Sequence, residues 1–115
     1  MTNLTTLLPH ERLIAYRVAR ELLVAIREMK IAHAGLRDQA LRAASSVCLN
    51  IAEAAGRPSP ADQRRVYGIA RGEVCEAAAA LDVAGAAGYC AEDAVRVARE
   101  FAGRIYALLS GLMRA

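Results

Sequence analysis

Two glutamates in the second half of the chain, Glu73 and Glu76, have the spacing of a metal-binding pair. Residues three apart in a helix share one face, so both carboxylates of this E-x-x-E step would point the same way. Carboxylate oxygens are ligands that Mg²⁺ prefers, but a Mg²⁺-dependent phosphohydrolase built as a helical bundle needs a second pair on another helix. The last predicted helix offers none, and its acidic residues end at Glu100. An acidic surface patch is therefore the simpler interpretation.

Histidine and cysteine do not complete a metal site either. A di-iron bundle needs a Glu-x-x-His step, and neither His10 nor His33 lies three residues after a glutamate. The three cysteines are odd in number and lack C-x-x-C spacing, which favours free thiols in a reducing cytoplasm. We predict that Cys48 and Cys75 are buried as small apolar residues, and we expect no metal, no cofactor and no enzymatic activity.

A second set of polar residues has the spacing of a network between helices. Ser46, Asn50 and Glu53 recur at steps of four and three, so they share one side of a helix. Counting outward from the turn at Pro58 places Arg71 level with Ser46. We predict that these four residues form a structural polar network that fixes helix register. A catalytic interpretation would need a nucleophile, a base and a pocket, and only the carboxylate is evident.

The arginines offer a third kind of chemistry, which is phosphate binding. Residues 73–93 carry five acidic and no basic side chains, although the whole chain has a net charge of +3. An antiparallel bundle would gather basic residues at the opposite end: Arg57, Arg64 and Arg65, with Arg12, Arg17, Arg104 and Arg114. Arginine suits bidentate phosphate contact, so we predict a nucleic-acid-binding rim formed by Arg57, Arg64, Arg65, Arg12 and Arg104. The alternative is ordinary solubilising charge, because no aromatic residue interleaves to stack bases.

The elements that carry these residues are all helices. Apolar residues recur at steps of four and three throughout, and no segment alternates as a strand does. We predict an antiparallel up-down-up-down four-helix bundle over residues 9–115, after a flexible N-terminal tail at 1–8. The turn Gly56-Arg57-Pro58-Ser59-Pro60 ends one helix and caps the next. The predicted helices span about Pro9–Met29, Leu36–Ala55, Pro60–Ala84 and Ala91–Met113.

The composition predicts self-association. Hydrophobic residues make up 56% of the chain and aromatic residues 4%, so the core is built from small aliphatic side chains. A mean hydropathy of +0.22 exceeds what a 115-residue interior would absorb, and the surplus is expected at a subunit interface. Gly68 and Gly72, four apart in a helix, are expected where a neighbouring helix approaches closely. Charges interrupt every apolar run, which argues against a membrane span.

Three motifs lie in the middle of the chain: R-A-A-S-S-V-C-L-N-I-A-E-A-A-G-R-P-S at residues 42–59, I-A-R-G-E-V-C-E at residues 69–76, and Gly88-Tyr89. Together they resemble the four-helix bundle proteins encoded in intervening sequences of the large ribosomal RNA. That family includes the accessory variability determinants of diversity-generating retroelements. Its pattern runs roughly R-A-A-x-S-I-P-x-N-I-A-E-G-x-G-R-x-S, then I-A-R-G-S-x-x-E, then L-G-Y. The matching residues here are Arg42, Ala43, Ala44, Ser46, Val47, Asn50, Ile51, Ala52, Glu53, Gly56, Arg57, Ser59, Ile69, Ala70, Arg71, Gly72, Glu76, Gly88 and Tyr89.

This resemblance implies a homopentameric ring, and for the retroelement members it implies binding to nucleic acid and a reverse transcriptase. The chain departs from the pattern at Cys48, which replaces a proline, and at Leu49, Ala54 and Glu73. The expected function is a non-enzymatic, homo-oligomeric binding or scaffold protein for RNA or DNA. The alternative is a structural or protein-interaction oligomer with no nucleic-acid role.

Overall fold

The computed structural model describes residues 6–115 and contains four helices. They are α1 (Ile14–Met29), α2 (Ala34–Ala55), α3 (Pro60–Ala86) and α4 (Glu92–Arg114). Each helix packs against two neighbours, in the pairs α1–α2, α2–α3, α3–α4 and α1–α4. The predicted all-α, antiparallel four-helix bundle is thus confirmed. Residues 1–5 of the predicted N-terminal tail lie outside the described residues.

The first helix begins later than the sequence predicts. Pro9–Arg12 form a separate 3₁₀ turn, and Leu13 is extended with φ −93° and ψ 128°, which separates that turn from α1. The backbone N–H of Leu8 donates to Glu11 Oε1 at 3.0 Å. In the sequence, Pro9 and the capping Glu11 therefore look like the start of a helix. The α1 helix nevertheless begins only at Ile14.

The turn between α2 and α3 has the predicted chemistry. Ser59 is extended, and its Oγ accepts the backbone N–H of Asp62 at 3.1 Å. Pro60 occupies the first helical position, where a missing N–H removes no helical hydrogen bond. The α2 helix starts two residues earlier than predicted, at Ala34, because His33 Nδ1 accepts the N–H of Leu36 at 3.1 Å.

Small aliphatic side chains build the core. Alanines on every helix are completely inaccessible to solvent, among them Ala19, Ala44, Ala70 and Ala98. Larger residues such as Leu22, Ile51, Leu81, Ile105 and Leu109 fill the space between them. In the described part of the chain, no polar or charged residue is buried. The core therefore depends on apolar packing alone, and every candidate functional group lies at the surface or at its edge.

Side-chain contacts fix how the helices are aligned. On α3 and α4, Arg71 Nη1 donates to Ser110 Oγ at 3.1 Å, and Asp82 pairs with Arg99 at 2.6 Å. On α2 and α3, Arg42 Nη2 lies 3.8 Å from Glu76 Oε1. These contacts define the levels at which surface residues on different helices face each other.

Two expectations about small residues differ from the structure. A Cβ added at Gly68 would lie 3.4 Å from Met113 Cε, so this glycine faces a side chain of α4 and not its backbone. A Cβ at Gly72 would meet nothing within 4 Å, so the predicted close approach is wrong for Gly72 within one subunit. Cys48 is buried as predicted, but Cys75 is exposed, because it lies on the outer side of α3, next to the buried Val74.

None of the helices within residues 6–115 is both long and apolar enough to cross a lipid bilayer. The α2 helix also runs without interruption through Cys48, the position at which the family that the chain resembles has a proline.

Candidate functional site

The four residues of the predicted polar network do not meet in one network. Asn50 Nδ2 donates to both the carbonyl and the hydroxyl of Ser46 at 3.0 Å, within α2. Glu53 pairs with Arg57 one turn along the chain at 2.6 Å. Arg71 turns away toward α4, where it contacts Ser110 and lies over the ring of Tyr106.

The prediction failed because it considered how far along the bundle each residue lies, but not which side of its helix the residue faces. Arg71 is near the expected height, but it lies on the side of α3 that faces α4. None of the four residues is buried. Removing one of them therefore does not leave a buried charge without its partner.

At the turn between α2 and α3, Arg57 belongs to an ion-pair cluster. Its guanidinium pairs with Glu53 at 2.6 Å and with Asp62 at 3.2 Å. Asp62 also accepts from Arg65 at 2.9 Å. The hydrogen bond to Glu53 and the charge of Asp62 raise the pKa of Arg57 above its ordinary value. Two carboxylates therefore offset much of the positive charge that the sequence places here.

Arg64 differs from its neighbours in this cluster. It is exposed and forms no ion pair with any described residue. Arg12 lies at the same end of the bundle, because it lines a surface notch together with Leu108, Gly111 and Leu112 near the end of α4. Arg64 can therefore meet a phosphate without first breaking an ion pair, unlike Arg57 and Arg65 in the same cluster.

The predicted rim does not include Arg104. This residue lies between Arg99, which pairs with Asp82, and Ser110, which pairs with Arg71. A helix rises about 1.5 Å per residue, so Arg104 lies about halfway along the bundle rather than at the end that holds Arg64. The sequence analysis placed Arg104 and Arg114 at the same end of the bundle. That prediction failed because nearly three helical turns of α4 separate these two arginines.

Glu73 and Glu76 form a like-charged pair on α3. Burial, a hydrogen bond with Glu76 and the charge of Glu76 raise the pKa of Glu73, and Arg42 opposes this shift. Gln39 Nε2 also donates to Glu76 at 3.5 Å. Within residues 6–115, no group of three or more histidine, cysteine or acidic side chains could hold a metal ion.

Exposed apolar side chains form a candidate contact surface whose position the sequence analysis did not predict. Leu49 on α2 is 71% exposed and Ile69 on α3 is 45% exposed. In the sequence, both residues could have been recognised because they are apolar but lie outside the buried, core-facing positions of their helices. Leu49 is also one of the positions at which the chain departs from the family pattern given above.

Two concave surfaces lie on the other side of the bundle, between α1 and α4. The first, the α1–α4 groove, has a volume of about 570 Å³ and is lined by Arg17, Arg20, Glu21, Val24, Ala25, Glu28, Val97 and Phe101. The second, the α1–α4 notch, has a volume of about 350 Å³ and is lined by Arg12, Leu13, Ile14, Ala15, Leu108, Gly111 and Leu112. The residues that line these two surfaces are arginines, glutamates and apolar residues, with no serine, threonine, cysteine or histidine among them.

These observations define the protein as an all-α, antiparallel four-helix bundle. Residues 11–111 match the model of the 23S rRNA-intervening sequence protein family, and the chain therefore belongs to that family. A solved structure is similar in fold: a protein of unknown function from the S23 ribosomal protein family of Bacteroides thetaiotaomicron. It is 21% identical, with a TM-score of 0.80, over 89% of this chain and 100% of that one. No protein with a curated description matches the chain significantly.

Proposed function

We propose that this protein is a non-enzymatic scaffold that assembles from several copies of itself. The observation that carries this proposal is the exposure of large apolar side chains on a bundle whose core is already complete. Leu49 leaves 71% of its surface in solvent, and Ile14 and Val83 each leave about half. Burying such surface stabilises an assembly by about 25 cal/mol per Å². The resemblance to ring-forming bundle proteins supports the same reading, with a pentamer as the expected size.

Native mass spectrometry over a range of protein concentrations tests this proposal. A discrete oligomer that persists at low micromolar concentration is the expected result, and five copies would match the ring that the resemblance implies. A monomer at every concentration, including concentrations well above micromolar, would refute self-assembly.

A second candidate function, nucleic-acid binding, rests on Arg64. Its guanidinium is exposed and forms no ion pair in the described chain, so it can meet a phosphate without first breaking an internal contact. In a ring of parallel subunits, copies of Arg64 would lie on one rim and act together. The family description, which refers to a ribosomal RNA, and the resemblance to retroelement accessory proteins also favour this function.

The test compares Arg64→Glu with a matched charge reversal, Arg27→Glu. Arg27 is also exposed, but its ion pair with Glu28 is long at 3.8 Å and lies near the other end of α1. We expect the wild type to bind RNA at about 50 mM salt and to lose affinity as salt rises, because counterions are released from the phosphates. Arg64→Glu should weaken that binding at least tenfold and Arg27→Glu should not. Equal losses in both variants would indicate a general charge effect and would reject the Arg64 site.

A further inference from the structure

We propose that neighbouring copies of this protein join side by side through two different surfaces. The surface formed by Leu49, Ile69, Glu73 and Glu76, here called the α2–α3 surface, docks against the α1–α4 groove and notch of the next copy. This inference rests on the proposed self-assembly and specifies the two surfaces that carry it. The occupant of the groove is therefore a second copy of this chain.

The four residues of the α2–α3 surface share one side of the bundle. Arg42 of α2 meets Glu76 of α3, and the two helices run antiparallel. Leu49 is seven residues after Arg42, and Ile69 is seven residues before Glu76. Seven residues are close to two full turns, so Leu49 and Ile69 lie on the same faces as that pair and level with each other.

The α1–α4 notch lies at the same level on the opposite side. Gly68, next to Ile69, lies against the Met113 side chain, and Met113 adjoins Leu112 of the notch. The α1–α4 pair is across the bundle from the α2–α3 pair, since each helix contacts only its two neighbours. Parallel copies placed side by side would therefore bring Leu49 and Ile69 to the notch without sliding along the bundle axis.

The two surfaces are complementary in shape and polarity. Leu49 and Ile69 project from the α2–α3 surface, whereas the notch is a depression lined mainly by Leu13, Ile14, Leu108 and Leu112. Ile14 is itself 51% exposed in the single subunit. The contact would cover apolar side chains on both partners at once.

The charges beside these apolar residues are complementary as well. Glu73 is two residues beyond Arg71, whose partner is Ser110, and this places Glu73 near the level of Leu108, where the notch meets the groove. Arg17 begins the groove there, and Arg20 follows one turn later. Arg17 and Arg20 form no ion pair with a described carboxylate, while Glu73 and Glu76 repel each other within the subunit.

The remaining charges fit the same pairing. Glu21 also lines the groove, and Arg42 lies at the matching level of the α2–α3 surface beside Glu76. Glu28 is at the far end of the groove, where it is near Arg27. Docking would thus give the like-charged pair on α3 two arginine partners and would lower the pKa of Glu73 from the raised value it has in the single subunit.

Contact between two different surfaces is heterologous. Such a contact closes into a ring or continues as a filament, depending on the rotation between successive copies. A dimer formed by one such contact would leave one docking surface of each kind unused, so further copies would add to it.

Charge reversal tests the pairing. The double variant Glu73→Arg/Glu76→Arg places like charges opposite Arg17 and Arg20, and the double variant Arg17→Glu/Arg20→Glu does the same from the other side. Each should raise the concentration needed for assembly at least tenfold. The quadruple variant that carries all four reversals restores opposite charges between the two docking surfaces at these positions, and it should assemble better than either double variant.

Mixing the two double variants gives an independent readout. Each variant repels itself but complements the other, so the mixture should form assemblies in which the two alternate. Circular dichroism of each variant should show that the substitutions leave the helical fold intact.

The outcomes separate this inference from the function on which it rests. A monomeric wild type overturns both. A wild type that assembles, together with double variants that assemble equally well, overturns only the docking surfaces. Loss in both double variants without rescue in the quadruple variant also rejects the pairing, because it shows sensitivity to charge without complementarity.

Discussion

Arg71 and Tyr106 are stacked across the α3–α4 interface, with the guanidinium carbon 5.2 Å from the ring centroid. The same guanidinium donates to Ser110 Oγ at 3.1 Å. This contact takes the place of the network between α2 and α3 that the sequence predicts, and it connects a residue of the family pattern to the last helix.

Replacing Arg71 with Leu should therefore destabilise the fold modestly. The cation–π contact at a partly exposed site contributes about 0.5–1 kcal/mol, and the hydrogen bond contributes a similar amount. We expect Arg71→Leu to lower the free energy of unfolding by about 1–2 kcal/mol in urea titrations. A double-mutant cycle with Tyr106→Leu should give a coupling of at least about 0.5 kcal/mol. Full additivity of the two changes would show that the stacking contributes nothing.

Gly72 and Gly85 make a matched pair of helical glycines in α3. A Cβ at Gly72 meets nothing within 4 Å, whereas a Cβ at Gly85 would lie 3.0 Å from Val95 Cγ2. Alanine in a helix interior is favoured over glycine by about 0.5–1 kcal/mol, so Gly72→Ala should stabilise the dissociated subunit by that amount. Gly85→Ala should destabilise it, because Val95 must move. Thermal unfolding of dilute protein measures both, and equal effects of the two changes would contradict the packing described here.

The Glu73 carboxylate gives the fold a specific pH dependence. Its pKa is raised in the folded chain from the ordinary value of 4.5, so ionisation is less favourable folded than unfolded. The stability due to Glu73 is present below 4.5 and is lost as pH rises through the raised value. Glu73→Gln should thus match the wild type at acidic pH and exceed it at neutral pH by about 0.2–0.5 kcal/mol, the size of a like-charge helical pair.

Unfolding of the dilute subunit at several pH values measures this difference. A wild type that is more stable than Glu73→Gln at neutral pH would contradict the like-charge interpretation. The docking proposal predicts the opposite sign for assembly: at neutral pH the same variant should self-associate more weakly, because it removes a partner of Arg17 or Arg20.

The cysteines should react in the order of their exposure. Cys75 is exposed, Cys90 is partly buried and Cys48 is buried. Burial raises the pKa of the Cys48 thiol, with the charge of Arg20 opposing the shift, and burial raises that of Cys90. The thiolate is the reactive species, so Ellman's reagent should modify Cys75 first and Cys48 only after unfolding. Early modification that persists in Cys75→Ser would refute this order.

The fold was predictable because its signals are local and repeated. The core stripes of α2 and α4, the Ser59 cap and Pro60 each follow from residues a few positions apart. The side on which Arg71 points was not predictable, because that depends on where α4 packs. The height of Arg104 depends on how far α4 extends from the acidic end. The pairing of Arg57 with both Glu53 and Asp62 depends on the turn between α2 and α3, which brings the three charged side chains together. Counting charged residues along the sequence gives the net charge of a segment, but it does not show which residues form ion pairs.

An interior that contains only apolar side chains in the described chain has a consequence for how such proteins diverge. No buried polar group in the described chain requires a charged partner at the surface, so surface residues can be substituted during evolution without disturbing the core. The solved structure that shares this architecture is 21% identical to the chain, so the same bundle forms although most positions differ.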